Sequence, residues 1–284
     1  MKRTFFALIF FAAISITAMA QETAIPDTAT QQQPKKPLKL DHAEPLYIDL
    51  IRDLGAHKGE KEWNIGAGMT DNLGYDRYEF LVEYEWAPID RLGLEIEVPV
   101  SVYTTNSKDR RPEVYRPSDR IESLKLAAQY TFLVNKRLKA SMALGNITEF
   151  ELTDLDQIRR DDIFKGILFN PFLVAAKKWG SNFHSLIYTG PRLINHFGHN
   201  GLETSYEINT SAHYMIPNSR NFVGLEVNKE MQGGHMDMVL RPQMRLLINE
   251  GLMIGIVTGI PVTKERERMS TFFRLIYEPG HKKH

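Results

Sequence analysis

Charged side chains recur at two-residue spacing in several stretches of the chain. They are the residues best suited to attract or orient a charged solute. Glu83 and Glu85 form one such pair, and Glu95 and Glu97 form the next. The other charged residues predicted on the same face of their strands are Lys125, Lys139, Arg192, Glu203, Glu207, Glu226, Arg241, Arg245 and Arg274. Fixed charges grouped in this way would set a transverse field across a narrow pore and orient a charged or dipolar solute. The alternative is a lumen closed by salt bridges, and the sequence leaves both open.

Catalytic and metal chemistry have weaker support. Ser211 and His213 share one face of a predicted strand, with Asn209 before them, as in a barrel that acts as a serine hydrolase. A serine nucleophile also needs an oxyanion site and a base within hydrogen-bond reach, and strand alternation brings many such pairs together by coincidence. The histidines of the predicted outer loops are His196, His199 and His235. Because a loop fixes no ligand geometry, we predict no metal site. We also predict no catalytic residue and no cofactor.

The elements that would position these side chains are strands, because the dominant period of the sequence is two. In 77–87, apolar residues from Tyr78 to Trp86 alternate with Glu79, Glu83 and Glu85. The predicted strands are 62–71, 77–87, 92–104, 121–133, 137–150, 165–178, 182–195, 202–216, 221–230, 237–248, 251–263 and 269–278. Most match or exceed the roughly 9–11 residues of a tilted membrane-crossing strand. The sequence therefore predicts an all-β fold, a transmembrane antiparallel β-barrel of about 12 strands with a short N-terminal helix.

The connections indicate how this barrel is oriented. Every second predicted connection is short, whereas 106–120 and 153–164 are long and charged. Outer-membrane barrels have short periplasmic turns and longer outer loops, so the short set is predicted to be periplasmic. The three tryptophans, Trp63, Trp86 and Trp179, then fall near the periplasmic interface, where aromatic residues are enriched.

The N-terminal region predicts export. Residues 1–20 combine Lys2 and Arg3 with an apolar run and an Ala-Met-Ala ending, which is typical of a signal peptide cleaved near Ala20. Residues 21–40 are predicted to be a flexible periplasmic leader, 58–278 the barrel, and 279–284 a C-terminal tail. The whole predicts a protein in the outer membrane of a Gram-negative bacterium.

Residues 41–57 are predicted to form an amphipathic helix. Asp41 and Glu44 have capping-box spacing, Pro45 is tolerated in a first turn, and Gly55 suits the helix end. The apolar residues of its predicted face are Leu46, Tyr47, Leu50, Ile51 and Leu54. This helix could plug the barrel, cover its periplasmic mouth or dock on a periplasmic partner through residues 42–55.

Two runs of sequence carry a family resemblance. HAEPLYIDLIRDLG, from His42 to Gly55, and KGEKEWNIGAGM, from Lys58 to Met69, resemble the opening of a family of bacterial outer-membrane β-barrel proteins, and the likeness extends to Tyr277. Similar chains sometimes carry the name phosphoribosylformylglycinamidine synthase. That activity needs a cysteine nucleophile, and this chain has no cysteine and no Gly-rich phosphate loop.

Composition narrows the partners and the function. Thirty-five basic residues balance 35 acidic ones, so no basic excess points to nucleic acid. The expected partners are outer-membrane lipid and the barrel assembly machinery. We predict a narrow passive channel for small solutes, by analogy with what such barrels often do. The alternatives are a structural or docking protein with a closed lumen, and an outer-membrane hydrolase.

Overall fold

The structure, a computed structural model, describes residues 36–48, 51, 53–105, 116–154, 163–199, 201–263 and 267–280 of the 284-residue chain. The predicted signal peptide, most of the predicted leader and the end of the predicted tail lie outside the described residues. Among those that are described, no helix has the length and apolar character needed to cross a membrane.

Thirteen strands make up the described secondary structure. They are β1 (Lys61–Asn72), β2 (Tyr75–Ile89), β3 (Leu92–Thr105), β4 (Arg120–Ile121), β5 (Ser123–Asn135), β6 (Ala140–Leu152), β7 (Phe164–Trp179), β8 (Phe183–His196), β9 (Glu203–Met215), β10 (Phe222–Gln232), β11 (His235–Asn249), β12 (Leu252–Pro261) and β13 (Glu267–Tyr277). Alternating apolar and polar residues favour strands because each face of the sheet then meets one kind of environment.

The sheet closes on itself as an antiparallel barrel. β1 pairs with both β2 and β13, and β2 pairs with β3. β4 and β5 both pair with β3 and are separated by Glu122 alone, so together they make one crossing. The barrel therefore has 12 crossings, and the predicted fold class is confirmed for the barrel.

Side chains on the two faces of the wall differ as the alternation requires. On β2, Phe80 and Val82 are 49% and 51% exposed, whereas Glu83 and Glu85 are each 1% exposed. Large apolar side chains are likewise exposed along the outer face of most other strands. An apolar outside and a polar inside are the arrangement that lets a barrel sit in lipid.

The two ends of the barrel differ in their connections. The turn end holds the start of β1, the end of β13 and the connections 90–91, 136–139, 180–182, 216–221 and 250–251. The loop end holds the longer connections 106–119 and 153–163, but also the tight connections 73–74 and 233–234. At the turn end, Gly251 has a φ of 79°, and a Cβ there would lie 2.6 Å from the Glu278 carbonyl oxygen. Glycine thus lets the chain after β13 approach the β11–β12 turn.

The described residues of the range 36–57, named the lumen segment, run inside the barrel before β1. Ala43, Leu46 and Leu54 are at most 2% exposed, and they contact inward-facing residues on several strands. The predicted helix over 41–57 is wrong for the described residues of this range, which form bends, a turn and irregular chain. The physical reason is that the backbone N–H groups of Leu46 and Ile48 donate to Gln243 and Glu226 of the barrel wall. Those donors are then not available for helical hydrogen bonds.

Candidate functional site in the barrel lumen

The lumen segment enters and leaves the barrel at the turn end. The Pro37 carbonyl oxygen and His57 Nε2 are 2.9 Å apart, which joins its two arms. Lys39 forms ion pairs with Asp53 and with Glu60, the latter at 2.8 Å. Burial lowers the pKa of the Lys39 ammonium, but Asp53 and Glu60 outweigh that effect and raise it above its usual value. The segment is therefore a closed loop with a charged clasp at its base.

The ascending arm binds the wall through His42, Ala43 and Glu44. His42 Nε2 lies 2.9 Å from Ser141 Oγ on β6, and the Ala43 N–H donates to His184 Nδ1 on β8 at 2.7 Å. Glu44 forms an ion pair of 3.5 Å with Arg245 on β11. One short run of the segment thus bridges three separate strands of the wall.

The tip of the segment makes its deepest contacts. The Leu46 N–H donates to Gln243 Oε1 at 2.7 Å, and the Ile48 N–H donates to Glu226 Oε1 at 3.1 Å. The Arg241 guanidinium carbon lies 3.3 Å from the centre of the Tyr47 ring. Leu46 also packs in an apolar cluster whose buried members are Ala43, Phe222, Met253, Val257, Phe272 and Ile276.

The descending arm contacts the opposite wall. Ile51 accepts a hydrogen bond of 3.3 Å from Gln129 Nε2 through its carbonyl oxygen, and the Gly55 N–H donates to Thr131 Oγ1 at 2.9 Å. Ile51 and Leu54 join a second apolar cluster that includes Ala127, Ala143, Phe172, Val174, Ala176, Leu186 and Tyr188. The segment is therefore held between β5–β8 on one side and β10–β13 on the other.

An acidic group lines the wall on β1, β2 and β3. Asn64 Nδ2 donates to Glu62, Glu83 and Glu85 at 3.0, 2.7 and 3.0 Å. Carboxylate oxygens of Glu83, Glu85 and Glu95 lie within 4.8 Å of one another. Like charges packed this closely repel, so the group needs cations or protons to be stable.

Two cationic side chains form ion pairs with this acidic group. Lys125 Nζ lies 2.6 Å from Glu97 and 3.7 Å from Glu95. Arg274 Nη1 lies 3.5 Å from Glu83. All six predicted members of this region, Glu83, Glu85, Glu95, Glu97, Lys125 and Arg274, are thus brought together by the structure.

The basic residues on β11 contact the lumen segment from another side. Arg241 Nε donates to Asn228 Oδ1 at 2.6 Å, and its Nη1 donates to Ser270 Oγ at 3.2 Å. Arg245 Nε donates to the Arg220 carbonyl oxygen at 3.3 Å. These bonds orient both guanidinium groups toward residues 44–47.

The remaining charged candidates lie away from the lumen segment. Arg192 pairs with Glu230 at 3.2 Å, and Glu207 Oε2 accepts a 3.4 Å bond from Asn209. Glu203 is exposed at the loop end and accepts a hydrogen bond from Gln232. Lys139 lies in the β5–β6 turn and donates to the Gly180 carbonyl oxygen at 3.0 Å.

The three tryptophans lie at the turn end. Trp63 and Trp86 flank Tyr84, with ring centres 4.5 and 5.5 Å from it. Trp179 Nε1 donates to Ser185 Oγ at 2.8 Å, and the ring is 54% exposed. An aromatic group at one end of the outer wall is typical of a membrane interface.

The candidate catalytic and loop-histidine residues show no catalytic arrangement. Ser211 Oγ and both ring nitrogens of His213 have no hydrogen-bond partner, so the two residues are not bonded to each other. His196 contacts Glu151 at 3.1 Å and Glu203 at 3.5 Å. These contacts hold an exposed imidazole between two carboxylates at the loop end.

Sequence reasoning missed the uncharged side chains that hold the lumen segment. Ser141, His184, Gln129, Thr131 and Gln243 supply most of its hydrogen bonds. The signal that could have found them is their position on the inward face of strands with a period of two. A search confined to charged residues passes over them.

Burial changes the protonation of the lumen segment. It is the main cause that lowers the pKa of His42 to about 4, with His184 and Lys178 adding to the effect. Burial also raises the pKa of Glu44 well above its usual value, with Asp53 in support and Arg245 in opposition. His42 is therefore neutral near pH 7, and Glu44 holds a proton more readily than an exposed glutamate.

A closed antiparallel barrel of 12 crossings, apolar outside and polar within, has the fold of an outer-membrane β-barrel. The chain belongs to the HAEPLYID-like family, whose model matches residues 38–278. The name of that family is the run from His42 to Asp49, and His42 to Ile48 of this run form the ascending arm and tip of the lumen segment.

Solved structures show the same fold at low sequence identity. The COG4313 outer membrane channel from Pseudomonas putida F1 aligns with a TM-score of 0.63 and 10% identity, over 80% of this chain and 98% of that one. The NanC porin aligns with a TM-score of 0.53 and 7% identity, over 76% and 98%. The KdgM porin aligns at 0.50 with 12% identity, over 78% and 99%. No curated protein matches the chain by sequence.

Proposed function

We propose that this protein is an outer-membrane channel for small charged or dipolar solutes, and that its own lumen segment closes it. The observation that carries the proposal is the polar wall behind the segment. Backbone groups of residues 43–55 bind His184, Gln243, Glu226 and Thr131. If the segment leaves, water can take over these hydrogen bonds at little net cost. A wall of this kind tolerates an open state.

The charge distribution supports passage of charged or dipolar solutes. Acidic side chains lie on β1–β3, and Arg241 and Arg245 lie on β11, so the wall carries opposite charges in different sectors. Opposed charges in a low-dielectric wall focus a field across the lumen. The three solved structures named above, with TM-scores of 0.50 or more, are a channel and two porins, which agrees with this proposal.

The proposed setting follows from the ends of the barrel. Both the start of β1 and the end of β13 lie at the turn end, so that end would face the periplasm. Export would use the signal peptide with cleavage near Ala20, and insertion would use the barrel assembly machinery. A periplasmic partner would then meet the base of the lumen segment, where Lys39 and Asp53 form the clasp.

A second candidate function is a structural or docking protein whose lumen stays closed. The observation in its favour is the apolar cluster around Leu46, because exposing Phe222, Met253 and Val257 to water would cost roughly 1.5–3 kcal/mol per fully buried side chain. The hydrogen bonds between the segment and the wall are compatible with a lumen that opens, whereas this apolar cluster favours a lumen that stays closed. Conductance decides between them.

The experiment compares the refolded mature chain with a version lacking residues 21–57 in planar bilayers. We expect rare or no conducting steps from the mature chain and frequent steps from the shortened one. Silence from both, in preparations shown to be folded by heat-modifiable gel mobility, would contradict the channel and leave the docking role.

A clamped variant tests the same point without removing any chain. Leu46 Cγ lies 3.3 Å from the position a Cβ would take on Gly255, so Leu46→Cys with Gly255→Cys can form a disulfide. The chain has no other cysteine. We expect oxidation of the pair to abolish even the rare conducting steps that remain when the pair is reduced. Each single variant is the matched control, and neither should respond to reductant.

A further inference from the structure

Three histidines gather on one side of the lumen with unused ring nitrogens. His184 on β8 lies directly opposite His213 on β9, and the His42 ring packs edge-on against His184 with centres 6.3 Å apart. His184 and His213 are 4% and 2% exposed. His42 Nδ1, His184 Nε2 and both nitrogens of His213 have no hydrogen-bond partner.

Unused nitrogens of this kind are costly in a buried place. A buried polar group without a partner costs about 1–3 kcal/mol, so a closed wall would be more stable with apolar residues here. His213 in particular packs against Phe222, with ring centres 4.6 Å apart, and neither of its nitrogens has a bond. The two ring nitrogens of His213 therefore make no stabilising hydrogen bond while the segment is docked.

Paired imidazoles across two strands suit a metal ion. Directly opposite residues of an antiparallel pair have Cβ atoms about 4.5–5.5 Å apart, which allows two side chains to reach one ion. Neutral imidazole is a preferred ligand of zinc, copper and nickel. We propose that His184 and His213 bind a divalent transition-metal ion of this class, and that its binding competes with the lumen segment.

The competition follows from the tautomer of His184. Its Nδ1 accepts a hydrogen bond from the Ala43 N–H, so in the neutral ring the proton sits on Nε2. A metal ion at Nε2 requires that proton to move to Nδ1. Nδ1–H would then face the Ala43 N–H, donor against donor, and the bond between segment and wall would be lost.

Three other contacts hold the ascending arm beside this bond. His42 Nε2 lies 2.9 Å from Ser141 Oγ, and this contact also has to break before the segment can leave the wall. Beside Ala43, Glu44 is attached to the wall by its ion pair with Arg245 and Leu46 by its backbone bond to Gln243. Loss of the Ala43 bond thus weakens one of the contacts that hold the ascending arm.

The binding site does not depend on the proposed channel function, whereas its effect on opening does. The first test is therefore titration calorimetry of the full mature chain with Zn²⁺ at pH 7.5, with Mg²⁺ as the comparison ion. We expect one Zn²⁺ per chain at the site, with affinity reduced at least tenfold in His213→Gln and in His184→Gln. The matched control is His196→Gln with His199→Gln at the loop end of the barrel, which should leave that affinity within twofold.

The second readout is amide hydrogen exchange of the peptide that contains Ala43, followed by mass spectrometry. Zn²⁺ should speed exchange in this peptide of the mature chain and leave it unchanged in His213→Gln. Absence of Zn²⁺ binding, or binding that survives both His213→Gln and His184→Gln, would overturn the site. Binding with unchanged exchange would overturn the competition. If Zn²⁺ binds and speeds exchange but no variant conducts, the channel function is refuted and the metal site stands.

Discussion

The guanidinium carbon of Arg241 lies 3.3 Å from the centre of the Tyr47 ring, which joins the tip of the lumen segment to the β11 wall. Tyr47 also meets Phe272 edge-on, with ring centres 6.2 Å apart. A cation over an aromatic face contributes about 2 kcal/mol or more once water is excluded. This contact is therefore a principal anchor of the segment tip.

Replacing the ring should loosen that anchor. Tyr47→Leu keeps an apolar side chain but removes the attraction to Arg241. A loss of about 2 kcal/mol corresponds to roughly a 30-fold rise in the ratio of open to closed channels. Single-channel recording measures that ratio directly. The matched control is Tyr206→Leu on the outer face, and an equal rise in both variants would show that Tyr47 has no special role.

The lumen segment also shows where prediction from sequence stops. Leu46 and Leu54 have helical spacing, which predicted one apolar face. In the structure Leu46 packs on the β10–β13 side, and Leu54 packs on the β5–β8 side. Spacing alone does not distinguish a helix on one surface from a bent chain held between two walls. The strands were predictable because each of their faces meets a single environment.

Gly255 tests how closely Leu46 fits the wall. A Cβ on Gly255 would lie 2.7 Å from Leu46 Cδ2, which is too close without movement. Gly255→Ala should therefore destabilise the docked segment by about 1–3 kcal/mol through overpacking and raise the open probability in bilayers. Leu46→Ala loosens the segment by itself, and in that background Gly255→Ala should have little further effect on the open probability. An equal effect of Gly255→Ala with and without Leu46 would mean that Gly255 acts on the strand and not on the segment.

His42 gives the closed state a dependence on pH. Its pKa is about 4 in place and 6.5 when free, so the docked segment has its full stability above pH 6.5. That stability is lost as the pH falls from 6.5 toward 4, by roughly 3 kcal/mol at most. Recording open probability from pH 7.5 to pH 4 should show rising activity, and His42→Gln should reduce the rise.

Glu44 acts in the opposite sense and must be separated from His42. Because its pKa is raised in place, taking up a proton favours the docked segment, and this contribution is lost as the pH rises through the raised pKa. The His42 test is therefore made in a Glu44→Gln background. A rise with acid that is the same with and without His42 in that background would refute the role of His42.

The charged residues of the wall were partly predictable for the same reason as the strands. Glu83 and Glu97 face each other across β2 and β3, as two-residue spacing on neighbouring strands allows. Lys125, the ion-pair partner of Glu97, also comes from the inward face of a predicted strand. The sequence could not show that Asn64 donates to three carboxylates, because that depends on the register of β1 with β2.

The outer face gives a test of membrane insertion that is independent of the lumen. Phe80 and Leu138 are both exposed apolar residues, at 49% and 56%, but Phe80 lies within β2 and Leu138 in a turn at the turn end. Arginine on a lipid-facing position costs about 2–4 kcal/mol near the bilayer midplane and about 0–1 kcal/mol near the interface. Phe80→Arg should therefore lower the free energy of unfolding from lipid vesicles far more than Leu138→Arg, as measured by urea titration. Equal costs would mean that the exposed band of β2 does not meet lipid, since in water both changes would be mild.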